Sequence, residues 1–160
     1  MTEKLYNYTF KDTGVRVQIR KVSPMLVVEL QRSFPAPTPP RQRVEVAGEF
    51  VEEANPSDPD YIAAKERHGQ ELEMRVRKLM IQRGVIIPPD NTGWQDEVKE
   101  LKAFWLETYG AELEGNEKEL YVSHIAIGTD SDYLELVEAI TRRSQPTEGE
   151  IAAAKASFPG

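Results

Sequence analysis

The chain has 160 residues, a net charge of −7, 39% hydrophobic residues and no cysteine. That length can bury a core, and the missing thiol excludes disulfides, cysteine nucleophiles and cysteine-held metal. No apolar run approaches the roughly 20 residues that cross a bilayer, and the opening MTEKLYNYTF has no leader-like apolar core, so a cytoplasmic protein is expected. The charge is uneven: residues 1–43 hold eight Lys/Arg against three Asp/Glu, and residues 44–160 hold twelve against twenty-four. An acidic bulk of this kind repels phosphates, so no nucleic-acid partner is expected.

In chain order, Tyr6, Tyr8 and Phe10 alternate on one face of a first strand. In a second strand Val15, Val17 and Ile19 alternate against Arg16, Gln18 and Arg20. KDTG between them supplies the turn of a β-hairpin, with Gly14 free to take φ > 0. The Arg16/Gln18/Arg20 face is read as exposed, and Arg16 and Arg20 as candidates to attract an acidic partner surface. Ser23-Pro24 opens a short helix, MLVVELQRSF, which Phe34-Pro35 ends because the residue before proline is pushed out of the α region. Pro35, Pro37, Pro39 and Pro40 then stiffen an extended connector. Within it, Val44–Val46 and Phe50–Val51 around Ala47-Gly48 suggest a second small hairpin.

Asp58 is the expected N-cap of a long helix that starts at Pro59 and runs to about Arg83, with Gly84 as its C′ residue. Tyr61, His68, Leu72, Val76 and Leu79 share one face of that helix. Met74 and Ile81, one heptad apart with Ala63 in line, fall nearly opposite. This second stripe either packs inside the chain's own domain or contacts another chain, a second copy or a client helix; Met74 and Ile81 are the candidates for that contact. Val85-Ile86-Ile87 before two prolines reads as a buried connector. A further helix carries Trp94, Val98, Leu101 and Trp105 on one stripe and ends at Gly110. Capping signals at Asn116-x-x-Glu119, Thr129-x-x-Asp132 and Thr147-x-x-Glu150 open ELYVSHIAI, YLELVEAITRR and EIAAAKASF.

The fold class that follows is α+β: a small N-terminal β-hairpin unit followed by a mostly α-helical body. The expected divisions are 1–34 for the hairpin plus short helix, 35–58 for the Pro-rich connector, and 59–160 for the helical body.

No residue constellation supports an enzyme. His68 and His124 have no partner at metal-ligand spacing and read as packed, hydrogen-bonded side chains. Asp130, Asp132 and Glu135 are explained by a helix start, without the glycine and distal glutamate of a calcium loop. No phosphate-binding glycine motif occurs, and adjacent Ser123-His124 is not a triad. No catalytic residue, cofactor or metal is therefore expected.

Several stretches together resemble a known family: YTFKDTGVRVQIRKVSP, the proline run, NPSDPDYIAA, the long helix, IAIGTDSDYLELVEAITRRS and PTEGEIAAAKASF. They are similar to the tail assembly chaperones of long non-contractile phage tails, encoded between the major tail protein and the tape measure. The resemblance spans most of the chain as layout and phrase. It implies a non-enzymatic protein of the bacterial host cytoplasm that binds the tape-measure protein, keeps its apolar helices soluble and helps recruit major tail protein. Many such proteins also exist in a longer, frameshifted form. The alternatives are a tail or neck component retained in the virion, or a small regulator unrelated to phage. The Met74/Ile81 stripe also allows a homo-oligomer.

Overall fold

The computed structural model describes residues 3–145 together with Ala152, Lys155 and Ala156. The described chain is α+β, with an N-terminal β-hairpin and a mostly helical remainder. It divides into two compact units: unit 1 comprises 1–24 and 78–160, and unit 2 comprises 25–77. This grouping differs from the three consecutive segments expected, because the hairpin belongs with the C-terminal helices. The boundary at Arg77 falls inside the long helix. The Thr147-x-x-Glu150 cap lies outside the described residues, and of the helix it was expected to open only Ala152, Lys155 and Ala156 are described, all helical.

In unit 1, β1 (Tyr6–Thr9) and β2 (Arg16–Ile19) pair antiparallel, with Tyr8 opposite Val17. The Phe10 N–H donates to Val15 O at 2.9 Å and the Gly14 N–H to Phe10 O at 2.8 Å, with Gly14 at φ 73°, the left-handed geometry that favours glycine. Val85–Ile86, expected as a connector, is instead a third strand, β5. It pairs antiparallel with β2 through Gln18↔Ile86 and Ile19↔Val85. Period-two alternation cannot be seen in a two-residue strand, so only the partner edge of β2 reveals it.

Val17 and Ile19 alternate inward and are buried, as are Phe10 and Val85. The rest of the core comes from helices: α3 (Trp94–Tyr109), α4 (Glu117–Tyr121), a π-helical turn (Val122–Ala126) and α5 (Asp130–Ser144). They contribute Val98, Leu120, Tyr121, Val122, Tyr133, Leu136 and Ile140. The π-turn is closed by the Ile127 N–H donating to Val122 O at 2.9 Å. Gly110, at φ 67°, ends α3 with its N–H on Leu106 O, as its sequence position led one to expect.

The two capping boxes form in modified ways. Asn116 Oδ1 accepts from the Lys118 N–H at 2.9 Å, while Glu119, the expected reciprocal partner, accepts from Gln82 Nε2. Thr129 Oγ1 accepts from the Asp132 N–H, and the buried Asp132 carboxylate reaches one residue further back to the Gly128 N–H at 2.9 Å. The KDTG turn docks on this same corner. Thr13 Oγ1 donates to Ala126 O, and Thr129 Oγ1 donates to Asp12 Oδ2, both at 2.6 Å. Tyr8 sits nearby; burial first, then the Glu135 and Asp132 carboxylates, raise its phenol above the ordinary tyrosine range.

Unit 2 contains α1 (Pro24–Ser33) from Met25 on, β3 (Arg41–Val46), β4 (Glu49–Ala54) and the start of α2 (Pro59–Gly84). The second hairpin exists and is longer than expected, from Arg41↔Ala54 to Val46↔Glu49. Ala47 (φ 56°) and Gly48 (φ 84°) both take positive φ, the geometry of a type I′ turn. Ala47 is the one non-glycine residue at positive φ among the described residues. Alanine is strained there by about 1 kcal/mol, whereas asparagine tolerates the region. Ala47→Asn is expected to raise hydrogen-exchange protection of the 41–54 amides several-fold, and Gly48→Val to abolish it.

α2 begins as its sequence signals, with Pro59 first and the Tyr61 N–H donating to Asp58 Oδ2 at 3.0 Å. Its end differs from expectation. Gly84 is the last helical residue and does not take positive φ. An added Cβ there would lie 2.8 Å from Ile140 Cδ1 and 3.1 Å from Val22 Cγ2, so those side chains would have to shift to admit it.

Candidate partner-binding surface

Unit 2 is built almost without a core. Among the described residues, none between Met25 and Arg77 is buried. This is not for lack of apolar side chains. On α1, Met25 is 57% exposed, and Leu26 and Val28 are exposed as well. On the hairpin, Val44, Val46 and Val51 share one face by register, and Val46 and Val51 are exposed. Phe50, on the opposite face, is 64% exposed beneath the Arg43 guanidinium at 4.9 Å. On α2, Ile62 and Met74 are exposed.

What orders this unit is a set of specific polar and aromatic contacts. The Phe34 ring, just past α1, stacks on the His68 imidazole with centroids 4.6 Å apart and planes at 15°. The Arg75 guanidinium lies 4.2 Å from the centroid of the same ring, and Glu71 holds that guanidinium at 2.9 Å. His68 Nε2 lies 2.9 Å from Phe34 O; a carbonyl only accepts, so Nε2 carries the proton. His68 and Arg75 are seven residues apart and so share a face of α2. The Asn55 N–H closes the hairpin base on Pro40 O at 2.7 Å.

The four residues singled out from the sequence separate into different roles. Met74 is 58% exposed and belongs to the unit 2 surface. Ile81 does not: it is 0% exposed, a correction to its reading as a contact with another chain. The last turn of α2 lies in unit 1, where Met80, Ile81 and Gly84 are all buried, so the opposite stripe of that turn is core. Arg16 is exposed, as the strand alternation led one to expect, and pairs with Asp90 at 3.2 Å.

Arg20 is a second correction. Its side chain is 26% exposed, donates through Nε to Arg83 O and pairs with Glu3 at 3.2 Å. It closes the carbonyl end of α2, where a cation opposes the negative end of the helix dipole. Lys118 does the same from α4, with Nζ 2.9 Å from Gln82 O and 3.0 Å from Val85 O. Burial first, then the Arg20 charge, lowers the Lys118 pKa. Neither arginine is an uncommitted cation.

Of the two histidines, His68 is packed and hydrogen-bonded. His124 is exposed on the π-turn, 6.2 Å from the Trp105 ring centroid, which corrects the expectation of a packed side chain. The sequence signal for the unit 2 surface is the apolar run MLVVEL, in the helix that a proline run follows. The signal was present, but apolarity by itself reads as core. No helix among the described residues is long and apolar enough to cross a membrane. No protein-family model matches the chain, and comparisons with curated proteins and with solved structures find no match.

Proposed function

We propose that this chain is a non-enzymatic tail assembly chaperone of a long-tailed phage, acting in the host cytoplasm. In this reading unit 2 receives apolar helices of the tape-measure protein, and the complex then brings in major tail protein. The single observation that carries the proposal is a unit rich in Met, Leu, Val and Phe side chains in which no residue is buried.

Ordering a chain costs about 1–2 kcal/mol per residue in backbone entropy. Burial returns about 25 cal/mol per Å² of apolar surface, and unit 2 collects little of that by itself. A partner that covers Met25, Leu26, Val28, Val51 and Met74 supplies the missing burial. An amphipathic client helix laid on such a surface gains in the same way, and methionine adapts to many client shapes. The sequence resemblance supplies the identity of the client.

The test is co-expression with segments of a tape-measure protein from a long-tailed phage. The chain is expected to keep these segments soluble and to co-purify with them. Met25→Lys with Met74→Lys is expected to lose the client while shifting stability by less than about 0.5 kcal/mol, as substitutions at exposed positions do. Mass spectrometry of purified phage particles is expected to find the protein absent; a stoichiometric signal would instead mark a structural tail component and overturn the chaperone reading.

A further inference from the structure

Unit 1 carries a second feature, which uses none of the unit 2 residues. A cavity of about 450 Å³ opens between the segment leading into β1, the segment after β2 and the end of α5. Its lining includes Lys4, Lys21 and Arg143, with Tyr6, the Ser23 hydroxyl and the Gln145 amide. We propose that this cavity is a binding site for an acidic polypeptide segment, one that presents two or more neighbouring carboxylates.

Three observations carry it. First, the Tyr6 ring gathers cations. Arg143 Cζ lies 4.1 Å from its centroid and Lys4 Nζ 5.4 Å, so the two charges are held within about one screening length of each other. Second, among the described residues the cations lack counter-charge. Lys4, Lys21 and Arg143 make no ion pair among the described residues, and the one carboxylate in the lining, Glu3, is engaged by Arg20 at 3.2 Å. Like charges held together repel, and an incoming anion relieves that repulsion as well as forming new pairs. Third, the cations stand on three separate stretches of chain around a cavity whose other donors are a hydroxyl and a primary amide, all able to bond carboxylate oxygens.

A polypeptide fits better than a nucleic acid. Arg143 already covers the Tyr6 ring on which a base would stack. The net charge of −7 opposes the long-range attraction that dominates nucleic-acid affinity, whereas a short acidic segment inserts only a few charges at one place.

The experiment is fluorescence anisotropy with labelled hexaglutamate at low salt, repeated at about 0.15 M ionic strength. The wild-type chain is expected to bind and to weaken with salt. K4Q/K21Q/R143Q is expected to weaken binding on the order of tenfold or more, each exposed pair contributing a few-fold. Removing the same charge elsewhere, as R32Q/K65Q/K99Q, should change it by less than about twofold, the size of an unspecific effect. Arg143→Gln also removes the stack on Tyr6, so Lys21→Gln alone is measured beside it, with an unchanged thermal midpoint and a smaller loss of affinity expected. Lys4→Arg with Lys21→Arg should restore full binding. The proposal is overturned if wild type does not bind hexaglutamate at low salt, or if the triple variant binds equally well. Tighter binding of hexathymidylate, or displacement by an equal concentration of inorganic phosphate, would overturn it too.

Discussion

Ile81→Lys is expected to abolish the cooperative unfolding transition of unit 1, while Met74→Lys leaves it in place. The two residues lie one heptad apart on α2 and share a face by helical geometry, yet one is fully buried and the other largely exposed. A lysine at position 81 either places an unpaired ammonium in the buried core of unit 1 or displaces the last turn of the helix. An uncompensated buried charge costs several kcal/mol, and a domain of this size has about 5–15 kcal/mol in total. At Met74 the same substitution moves a charge into water and should change stability by less than about 0.5 kcal/mol. Ile81→Val, which removes one methylene without adding charge, should cost about 0.5–1.5 kcal/mol. Thermal melts and near-ultraviolet circular dichroism separate these outcomes. A well-folded Ile81→Lys protein would contradict the packing around the last turn of α2.

The second large effect is at Gly84. Gly84→Val is expected to destabilise unit 1 by about 3 kcal/mol, because the branched side chain must enter space already held by Ile140 and Val22, both buried. Gly84→Ala sets two terms against each other. Alanine in a helix gains about 1 kcal/mol over glycine, and a Cβ 2.8 Å from Ile140 Cδ1 costs about 1–3 kcal/mol in overpacking. The net expectation is a loss of about 1 kcal/mol, the difference of those two terms. Ile140→Val deletes the clashing methyl, so the double variant G84A/I140V should be more stable than the two single losses added together. Urea denaturation of the four proteins measures that coupling. Additive losses would mean that the close approach is not what disfavours a Cβ at this position.

The segments legible in the sequence were those whose cause is local. The β1–β2 hairpin followed from strict alternation and a turn glycine, and the start of α2 from Asp58 followed by proline. The end of α3 followed from Gly110, and the cap of α5 from Thr129; all four stand in the structure. Each depends on backbone conformation and hydrogen bonds within a few residues, which a linear pattern records directly. The candidate surface was only half legible. Met74 is exposed because it lies in unit 2, where no described residue is buried. Arg20 and Ile81 are not legible from spacing, because their neighbours come from elsewhere in the chain.

What the sequence by itself determined is therefore the α+β class, most element positions and the two hairpin turns. What only the tertiary structure decided is which faces those elements share. Val85–Ile86 is a strand because the edge of β2 offers its unpaired groups there. Arg20 turns inward because the carbonyl end of α2 arrives beside it. The MLVVEL helix, apolar enough to be taken for core, stays unburied because nothing described in the chain covers it. Gly84 looks like a helix terminator, but it packs closely against Ile140, 56 positions later in the same sequence. The physical reason is common to all four: burial is a property of pairs of segments. A pattern along one segment shows which face is apolar, and only the assembled fold shows whether another segment arrives to cover it.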